Sequence, residues 1–144
     1  MNHLRKHLYP SPIGTLLIAC QEEEDMDGII LWLDEYFGGK KPEWMPKIQL
    51  YGTDFQQRVW KLLMEIPYGE TITYGELAKK ISPTMSAQAI GQAVGKNPCC
   101  IIVPCHRVVG ANGSLGGYAY GTEMKRALLE FEKTNQKLSL CTSK

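Results

Sequence analysis

The residues best suited to chemistry lie in one short stretch, where Cys105 and His106 follow an apolar run and precede Arg107. A cysteine attacks only as its thiolate, and a neighbouring imidazole can take the thiol proton or stabilise the resulting charge. Cys105 is therefore the candidate nucleophile. The alternative is a packing role, because free cysteine is among the most buried residue types. Arg107 favours the chemical interpretation, because charged residues after an apolar strand are not expected to point into a core together.

Composition excludes several classes of protein. The chain has 144 residues, of which 44% are hydrophobic and 22% are charged, as is typical of one moderate globular domain or two small ones. Its apolar runs are shorter than the roughly 18 residues that a membrane span needs, and no apolar signal core follows the N-terminal basic residues. We therefore expect a cytoplasmic protein that does not contact a membrane.

The cysteines indicate thiols rather than disulfides or metal ligands. Their number is odd, so they cannot all pair within one chain, and their spacing lacks the Cys-x-x-Cys pairs of a zinc site. We therefore predict no metal site. The five are Cys20, Cys99, Cys100, Cys105 and Cys141.

The charge changes sign along the chain. Residues 1–51 carry a net charge of −3 and residues 52–144 a net charge of +4. The second part suits a polyanion better, but a surplus of this size leaves nucleic-acid binding open.

The first 51 residues offer structure but no chemistry. Residues 13–20 are predicted to be a strand, entered through the turn at Ser11 and Pro12. Residues 28–37 form a short apolar element, which we interpret as a strand fragment that runs into a helix.

From Gly52 onwards the pattern predicts four helices. Thr53 with Gln56, and Thr73 with Glu76, match the capping box that opens a helix. The helices are predicted over about residues 54–66, about 74–80, about 86–95, and from after residue 122 to about residue 133. The second and third are close enough to form a helix-turn-helix pair.

The third predicted helix is almost without bulk, since Ala87, Ala89, Gly91, Ala93 and Gly95 alternate along it. Glycine inside a helix costs about 1 kcal/mol of stability relative to alanine. We therefore expect that another backbone approaches this helix closely and compensates for that cost. The approaching partner is either another helix of the protein or another backbone such as a DNA groove, with Gln88 as the long polar side chain. Composition alone leaves both alternatives open.

Two further features could complete a site around Cys105. Residues 111–121 form a loop rich in glycine and tyrosine, which is either a pocket wall or a mobile surface loop. Glu132 lies one helical turn past Leu128, where its carboxylate could orient an imidazole. The alternative for Glu132 is a solvated surface position.

Together these motifs make the chain similar to the O6-alkylguanine-DNA alkyltransferases, the methylated-DNA–protein-cysteine methyltransferase family. The similarity runs from Gly52 to about Lys133 and includes two stretches of the first segment, residues 11–14 and 33–40. The motifs that carry it are residues 52–60 (GTDFQQRVW), Ile72-Thr73-Tyr74, Asn97-Pro98, residues 104–108 (PCHRV), and Lys125 with Leu128-Leu129.

The resemblance implies a fold and a reaction. The fold is α/β, with a shortened N-terminal domain of antiparallel sheet (residues 1–51) and a helix-turn-helix, winged-helix-like domain (residues 52–144). The reaction is single-turnover DNA repair, in which the O6-alkyl group of a flipped guanine passes irreversibly to Cys105, and O4-methylthymine is a second candidate substrate. A monomer would bind the minor groove of double-stranded DNA, and no cofactor is required.

The resemblance also implies roles for individual residues. His106 would act through a water as base to Cys105, and Glu132 would orient His106. Tyr74 would rotate the nucleotide and donate toward the leaving guanine. Asn97 would brace the turn around the active site. The residues expected to contact DNA are Ala87, Gln88, Ala89, Gly91, Tyr74 and Arg107. Those expected to line the guanine pocket are Val108, Tyr118, Ala119 and Lys125.

Gln88 departs from the family pattern, which has an arginine that fills the gap left by the flipped base. We therefore expect weaker DNA binding or slower repair, because glutamine is uncharged. The rival function is a non-catalytic, lesion-sensing or regulatory DNA-binding module with an inert Cys105. A cysteine hydrolase is a third alternative, but the sequence indicates no oxyanion site.

Overall fold

The computed structural model describes residues 4–21, 25–118 and 120–142, without the side chains of Leu4, Gln21 and residues 136–142. It divides into two compact units, one ending at Gln49 and the other beginning at Leu50. The first contains β1 (Leu4–Ser11), β2 (Gly14–Gln21) and α1 (Met26–Phe37). The second contains α2 (Asp54–Leu63), β3 (Ile72–Thr73), α3 (Tyr74–Ile81), α4 (Ala87–Gly95), a 3-10 helix (Cys105–Arg107), β4 (Val108–Val109) and α5 (Thr122–Thr142). The expected mixed α/β class is confirmed.

The first unit is built on an antiparallel hairpin. β1 pairs with β2 from Leu4 opposite Gln21 to Ser11 opposite Gly14, and Gly14 takes the positive φ of 123° that the tight turn requires. The sequence patterns did not indicate β1, because Tyr9 is its one buried side chain among residues 5–11. Its strand conformation comes from pairing with β2.

Residues 28–37 were predicted to be a strand fragment that runs into a helix, and α1 shows that the strand part was wrong, because the whole stretch is helical. The helix begins at Met26 because Asp25 caps it, its carboxylate accepting a hydrogen bond from the Gly28 amide at 2.8 Å. The Tyr9 hydroxyl donates to Asp34 at 2.7 Å and so ties α1 to the hairpin.

The helices of the second unit begin where their caps predict. Both capping boxes form, at the start of α2 and of α3. The core lies where these helices meet α4, and within it the Trp60 indole N–H donates to the Ala93 carbonyl at 2.9 Å.

Two predicted helix ends were wrong. α2 ends at Leu63 rather than near residue 66, because Glu65 and Ile66 donate to carbonyls three residues back and tighten the chain into a turn. α5 continues to Thr142 rather than ending near residue 133. The intervening residues include no glycine or proline to stop it.

The apolar run before the candidate nucleophile is a turn and not the expected strand. Its one ladder contact in the described chain is an isolated bridge between Cys100 and Val103. Ile101 has a φ of 77°, which reverses the chain there. Beyond the 3-10 helix, β4 pairs in parallel with β3, placing Val108 opposite Ile72. No helix in the described part of the chain is long and apolar enough to cross a membrane.

Candidate active site

The candidate nucleophile lies in the wall of a cavity. Cys105 begins the 3-10 helix, and its residue surface is 5% exposed. The cavity has a volume of about 560 Å³. Its lining comes from α3, α4, the turn before Cys105 and the glycine-rich loop: Tyr74, Ala87, Gln88, Gly91, Val94, Gly95, Asn97, Cys100, Cys105, Gly117 and Tyr118.

Asn97 holds the turn that presents Cys105. Its side-chain amide donates to the Val103 carbonyl at 2.9 Å, and its side-chain oxygen accepts from the Cys99 amide at 3.0 Å. These two bonds satisfy backbone groups that the reversal at Ile101 takes out of regular structure. Asn97 therefore joins the two sides of the turn that precedes Cys105.

Behind Cys105, the Glu132 carboxylate is fully buried and accepts several hydrogen bonds. His106 Nε2 lies 2.6 Å from Glu132 Oε2, and the Arg107 guanidinium donates to both carboxylate oxygens at 2.9 and 3.0 Å. The Gly69 amide also donates to Glu132, at 3.1 Å. Burial alone would raise the pKa of Glu132, but the bonds from His106 and Arg107 lower it to about 2. Glu132 is therefore an anion inside the fold.

This anion determines the protonation of His106. An ionised carboxylate only accepts, so the Nε2 hydrogen of His106 points at Glu132. Burial lowers the pKa of His106, despite the opposing effect of Glu132, and the ring is neutral near pH 7. Its Nδ1 then carries a free lone pair, and that buried atom has no hydrogen-bonding partner among the described residues. A neutral imidazole with a free Nδ1 is able to accept a proton.

The side chain of Arg107 does not lie where a DNA contact would require it. Its side chain is 9% exposed, and besides Glu132 it donates to the Ile66 carbonyl at 2.7 Å. These bonds direct the guanidinium into the protein, which argues against the predicted DNA contact. The residues after the apolar run were not expected to be buried together, and this was wrong. Both His106 and Arg107 are buried, because Glu132, 25 residues further along the chain, neutralises the guanidinium.

A second thiol adjoins the nucleophile. The Cys100 and Cys105 sulfur atoms lie 3.8 Å apart. The hydrogen bond from Cys100 lowers the pKa of Cys105, with further contributions from Asn97 and the Lys125 charge, and burial opposes them. The same hydrogen bond, together with burial, raises the pKa of Cys100. No role was predicted for Cys100 from the sequence, because its proximity to Cys105 depends on the reversal at Ile101.

Tyr74 and Lys125 form the other side of the site. Lys125 is fully buried, and its ammonium donates to the carbonyls of Leu115 and Gly117 and approaches the Tyr74 hydroxyl at 3.5 Å. Burial and the Cys105 charge raise the pKa of Tyr74, so its hydroxyl keeps its proton. Lys125 thus supports Tyr74 and the loop rather than lining the cavity.

The glycine-rich loop is a pocket wall, as one of its two interpretations held. Gly117 and Tyr118 line the cavity, and the Tyr118 hydroxyl is buried without a hydrogen bond to the described residues. Gly116 has a φ of 70°, and an added Cβ would lie 3.2 Å from the Tyr74 ring. Val108 is fully buried in β4 and is not among the lining residues. Ala119 lies outside the described residues.

Except for Ala93, the small residues of α4 lie outside its buried face. Ala87 and Gln88 are exposed, Ala89 and Gly91 are half-buried, and the buried face consists of Ile90, Ala93 and Val94. A Cβ at Gly91 would meet only the Tyr74 ring, at an ordinary 3.8 Å. Packing inside the unit therefore does not require glycine there. A second hollow, of about 430 Å³, includes Ala89 and Gly91 in its lining.

The described residues contain no group of three or more His, Cys, Asp or Glu side chains that could hold a metal ion. The chemistry available in the site is that of a thiolate, a neutral imidazole, a tyrosine hydroxyl and a buried ammonium.

A family model covers most of the second unit. Residues 54–134 match the DNA-binding domain of 6-O-methylguanine DNA methyltransferase. The site residues from Tyr74 to Glu132 fall inside that range.

Individual proteins show the same similarity over different shares of their length. A methylated-DNA–protein-cysteine methyltransferase of Mycobacterium bovis is 55% identical over 107 residues, which cover 74% of this chain and 65% of that protein. A relative of the same name from Methanosarcina acetivorans is 52% identical, with 87% of this chain and 96% of that protein covered. The crystal structure of Mycobacterium tuberculosis OGT in complex with DNA superposes with a TM-score of 0.79 at 43% identity, covering 92% and 93% of the two chains.

Proposed function

We infer that this chain, which belongs to the O6-methylguanine-DNA methyltransferase family, repairs DNA by direct reversal. It takes the alkyl group from O6-methylguanine in a duplex onto Cys105 and is consumed in the reaction. O4-methylthymine is a second substrate to be tested. The supporting observation is that Cys105 and the outer face of α4 line the same cavity. A flipped base would thus reach the thiol from a helix free to approach DNA.

In the proposed reaction, Cys105 attacks the alkyl carbon. The Cys105 proton passes through a water to His106 Nδ1, and Glu132 stabilises the imidazolium through Nε2. The new C–S bond forms as the bond between carbon and O6 breaks, which leaves a thioether on the protein. The Tyr74 hydroxyl donates a hydrogen bond to the departing guanine, which takes up the proton that His106 received from Cys105, so that both side chains end in their starting protonation states.

Lys125 assists this last step as a positioning residue. Its ammonium lies 3.5 Å from the Tyr74 oxygen and cannot accept a hydrogen bond from it, so the Tyr74 proton remains directed elsewhere. The Lys125 charge also favours the Cys105 thiolate. We propose Tyr118 and Ala119 as contacts of the flipped base, whereas Val108, which is fully buried and does not line the cavity, would act only as support for its wall.

DNA would be bound through the minor groove by α4. Ala87, Ala89 and Gly91 present little bulk, and small side chains permit the close approach that minor-groove binding needs. Gln88 would occupy the gap left by the flipped base, although its side chain has no charge. All of these residues lie in residues 52–144, which we propose as the catalytic domain, with residues 1–51 as a separate N-terminal domain.

The protein would act as a cytoplasmic monomer. Each chain carries its own Cys105, and a reducing compartment keeps that thiol free for attack.

The rival function is lesion sensing without repair. The lowered pKa of Cys105 and the free Nδ1 of His106 favour the enzyme, because an inert core thiol needs neither.

A titration of methylated duplex against the protein distinguishes the two functions. Restored guanine, measured after digestion of the DNA, should rise with protein and stop at one equivalent per chain, whereas Cys105→Ala should bind the duplex and restore none. Binding without restoration by the native protein would favour the sensor. Restoration that continues past one equivalent would favour a turning-over enzyme.

A further inference from the structure

The sulfur atoms of Cys100 and Cys105 lie in contact at the cavity wall. They are 3.8 Å apart, and both residues line the cavity of about 560 Å³. A disulfide needs a sulfur–sulfur distance of about 2.05 Å. The two side chains would have to approach each other by less than 2 Å in total.

The backbone holds this pair together. Ile101 takes a φ of 77°, which an isoleucine adopts only under constraint, and the reversal brings Cys100 back toward Cys105. Asn97 holds both sides of the reversal through the Cys99 amide and the Val103 carbonyl. The thiols therefore lie close together before any bond joins them.

The two thiols differ in acidity. The pKa of Cys105 is lowered by the hydrogen bond from Cys100, while that same bond and burial raise the pKa of Cys100. Cys105 is thus the more readily ionised thiol of the pair, and Cys100 keeps its proton more firmly. A readily ionised cysteine beside a second thiol is the arrangement of reversible peroxide-reactive sites.

We propose that Cys100 is the resolving cysteine of a peroxide-driven, reversible disulfide with Cys105. The Cys105 thiolate attacks one oxygen of hydrogen peroxide, so that an S–O bond forms, the O–O bond breaks, and the leaving hydroxide takes up a proton to become water. The Cys100 sulfur then attacks the Cys105 sulfenic acid. The S–S bond forms, the S–O bond breaks, and a second water leaves with the Cys100 proton. The two sulfurs supply the two electrons that reduce the peroxide.

The first step prepares the second. Once Cys105 is a neutral sulfenic acid, it no longer accepts a hydrogen bond as an anion or repels a second negative charge. These are two of the effects that keep Cys100 protonated. Cys100 therefore ionises more readily once it is needed as the attacking sulfur.

The disulfide would protect the nucleophile at the expense of its activity. Cys105 would be unable to accept an alkyl group, but it would not proceed to the irreversible sulfinic acid. A dithiol would restore it. The oxidation chemistry does not depend on the proposed repair function, because it requires only the two sulfurs and peroxide.

The test is the mass of the full chain after hydrogen peroxide treatment without reductant. The native protein should lose two hydrogens, and Cys100→Ala and Cys100→Ser should instead gain oxygen. Cys99→Ala is the matched control, since Cys99 is the neighbouring half-buried cysteine, and it should still lose two hydrogens. Two hydrogens lost by Cys100→Ala as well, or oxygen gained by the native protein, would overturn the proposal.

Digestion locates the bond. Trypsin leaves Cys99, Cys100 and Cys105 on the single peptide of residues 97–107. That peptide should be lighter by two hydrogens, and two of its cysteines should not react with thiol-blocking reagents. Dithiothreitol should restore both the mass and the reactivity. A bond from this peptide to Cys20 or Cys141 would refute the pairing. Peptide masses are read without DNA, so a failure of alkyl transfer would leave this result unaffected.

Discussion

At Cys105, three neighbours favour the thiolate against the effect of burial. The Cys100 thiol and the Asn97 side chain act through hydrogen bonds, and the buried Lys125 acts through its charge. His106 keeps Nδ1 free because Glu132 occupies its other nitrogen. Reactivity at this one atom therefore depends on side chains from two parts of the chain, residues 97–106 and helix α5.

Gln88 is the residue at which a gain of function is expected. Gln88→Arg should bind methylated duplex about fivefold more tightly and transfer the alkyl group faster, because hydrogen bonds from a charged group are roughly 1 kcal/mol stronger than neutral ones. Fluorescence anisotropy and single-turnover kinetics measure both effects.

Gln92→Arg is the matched control for Gln88→Arg. Gln92 is also exposed on α4, one turn further along, but it does not line the cavity that contains Cys105. Gln92→Arg adds the same charge as Gln88→Arg, but it should strengthen DNA binding less and should not speed alkyl transfer. Equal effects from the two variants would show that charge alone matters and that position 88 has no special role.

Gly116 sets the position of Tyr74. Gly116→Ala should slow alkyl transfer by about tenfold and lower the free energy of unfolding by about 1–3 kcal/mol, since its φ is positive and its Cβ would press on the Tyr74 ring. Gly113→Ala is the control, because Gly113 has a φ of 77° but open space around its Cβ. It should lose stability and keep its transfer rate. Equal slowing in both variants would rule out a specific effect on Tyr74.

Some of the site residues could be predicted from the sequence and others could not. Cys105, His106, Tyr74 and Asn97 belong to contiguous motifs, which a reader of the sequence can recognise directly. The inward orientation of Arg107 and the contact of Cys100 with Cys105 arise from partners or turns that no local pattern records. Both depend on the folded chain, through Glu132 and Ile101 respectively.

Among the elements, α5 is joined to the 3-10 helix and to the turn after α2 by one carboxylate. Glu132 receives hydrogen bonds from His106, Arg107 and Gly69, and Arg107 in turn reaches the Ile66 carbonyl. The elements that position Cys105 are therefore coupled through a buried ion pair. Such a pair is destabilising to break, because the remaining charge loses its partner.

Glu132→Gln should lower the free energy of unfolding at pH 7 by about 3–5 kcal/mol, because the buried Arg107 loses its counterion. The folded-state pKa of Glu132, about 2, lies below its ordinary 4.5, so its stabilising effect is complete above pH 4.5 and is lost as pH falls toward 2. Urea unfolding at pH 7 and pH 3 should show a smaller difference between the native protein and the variant at the lower pH.

Glu130→Gln provides the comparison for Glu132→Gln. Glu130 is exposed on the same helix, and its substitution should change stability by less than about 0.5 kcal/mol. A similar small effect for Glu132→Gln would contradict the structural role of the ion pair.

The elements also differ in how far the sequence determines them. Helices α2 and α3 begin where their capping boxes predict, because a cap is a local interaction between residues three apart. Strand β1 was not predicted, since its conformation depends on pairing with β2 rather than on alternation of its own side chains. The predicted end of α5 near residue 133 was wrong although the sequence did carry the signal, since no glycine or proline follows residue 133 to stop the helix.

In the whole molecule, the excess of positive charge and the candidate active site lie in the same part of the sequence. Residues 52–144 carry the net charge of +4, and they also contain the cavity, α4 and the buried ion pair. Binding of the DNA polyanion should therefore weaken as salt rises. Because the proposed product is a thioether on the protein, repair capacity would equal the number of protein molecules.

The most direct evidence would be the mass of the protein after incubation with a duplex that contains one O6-methylguanine. We predict a gain of one methylene per chain, located by digestion on Cys105 and absent from Cys105→Ala. A native protein that binds the same duplex with no change in mass would contradict transfer to Cys105 and leave lesion sensing as the function.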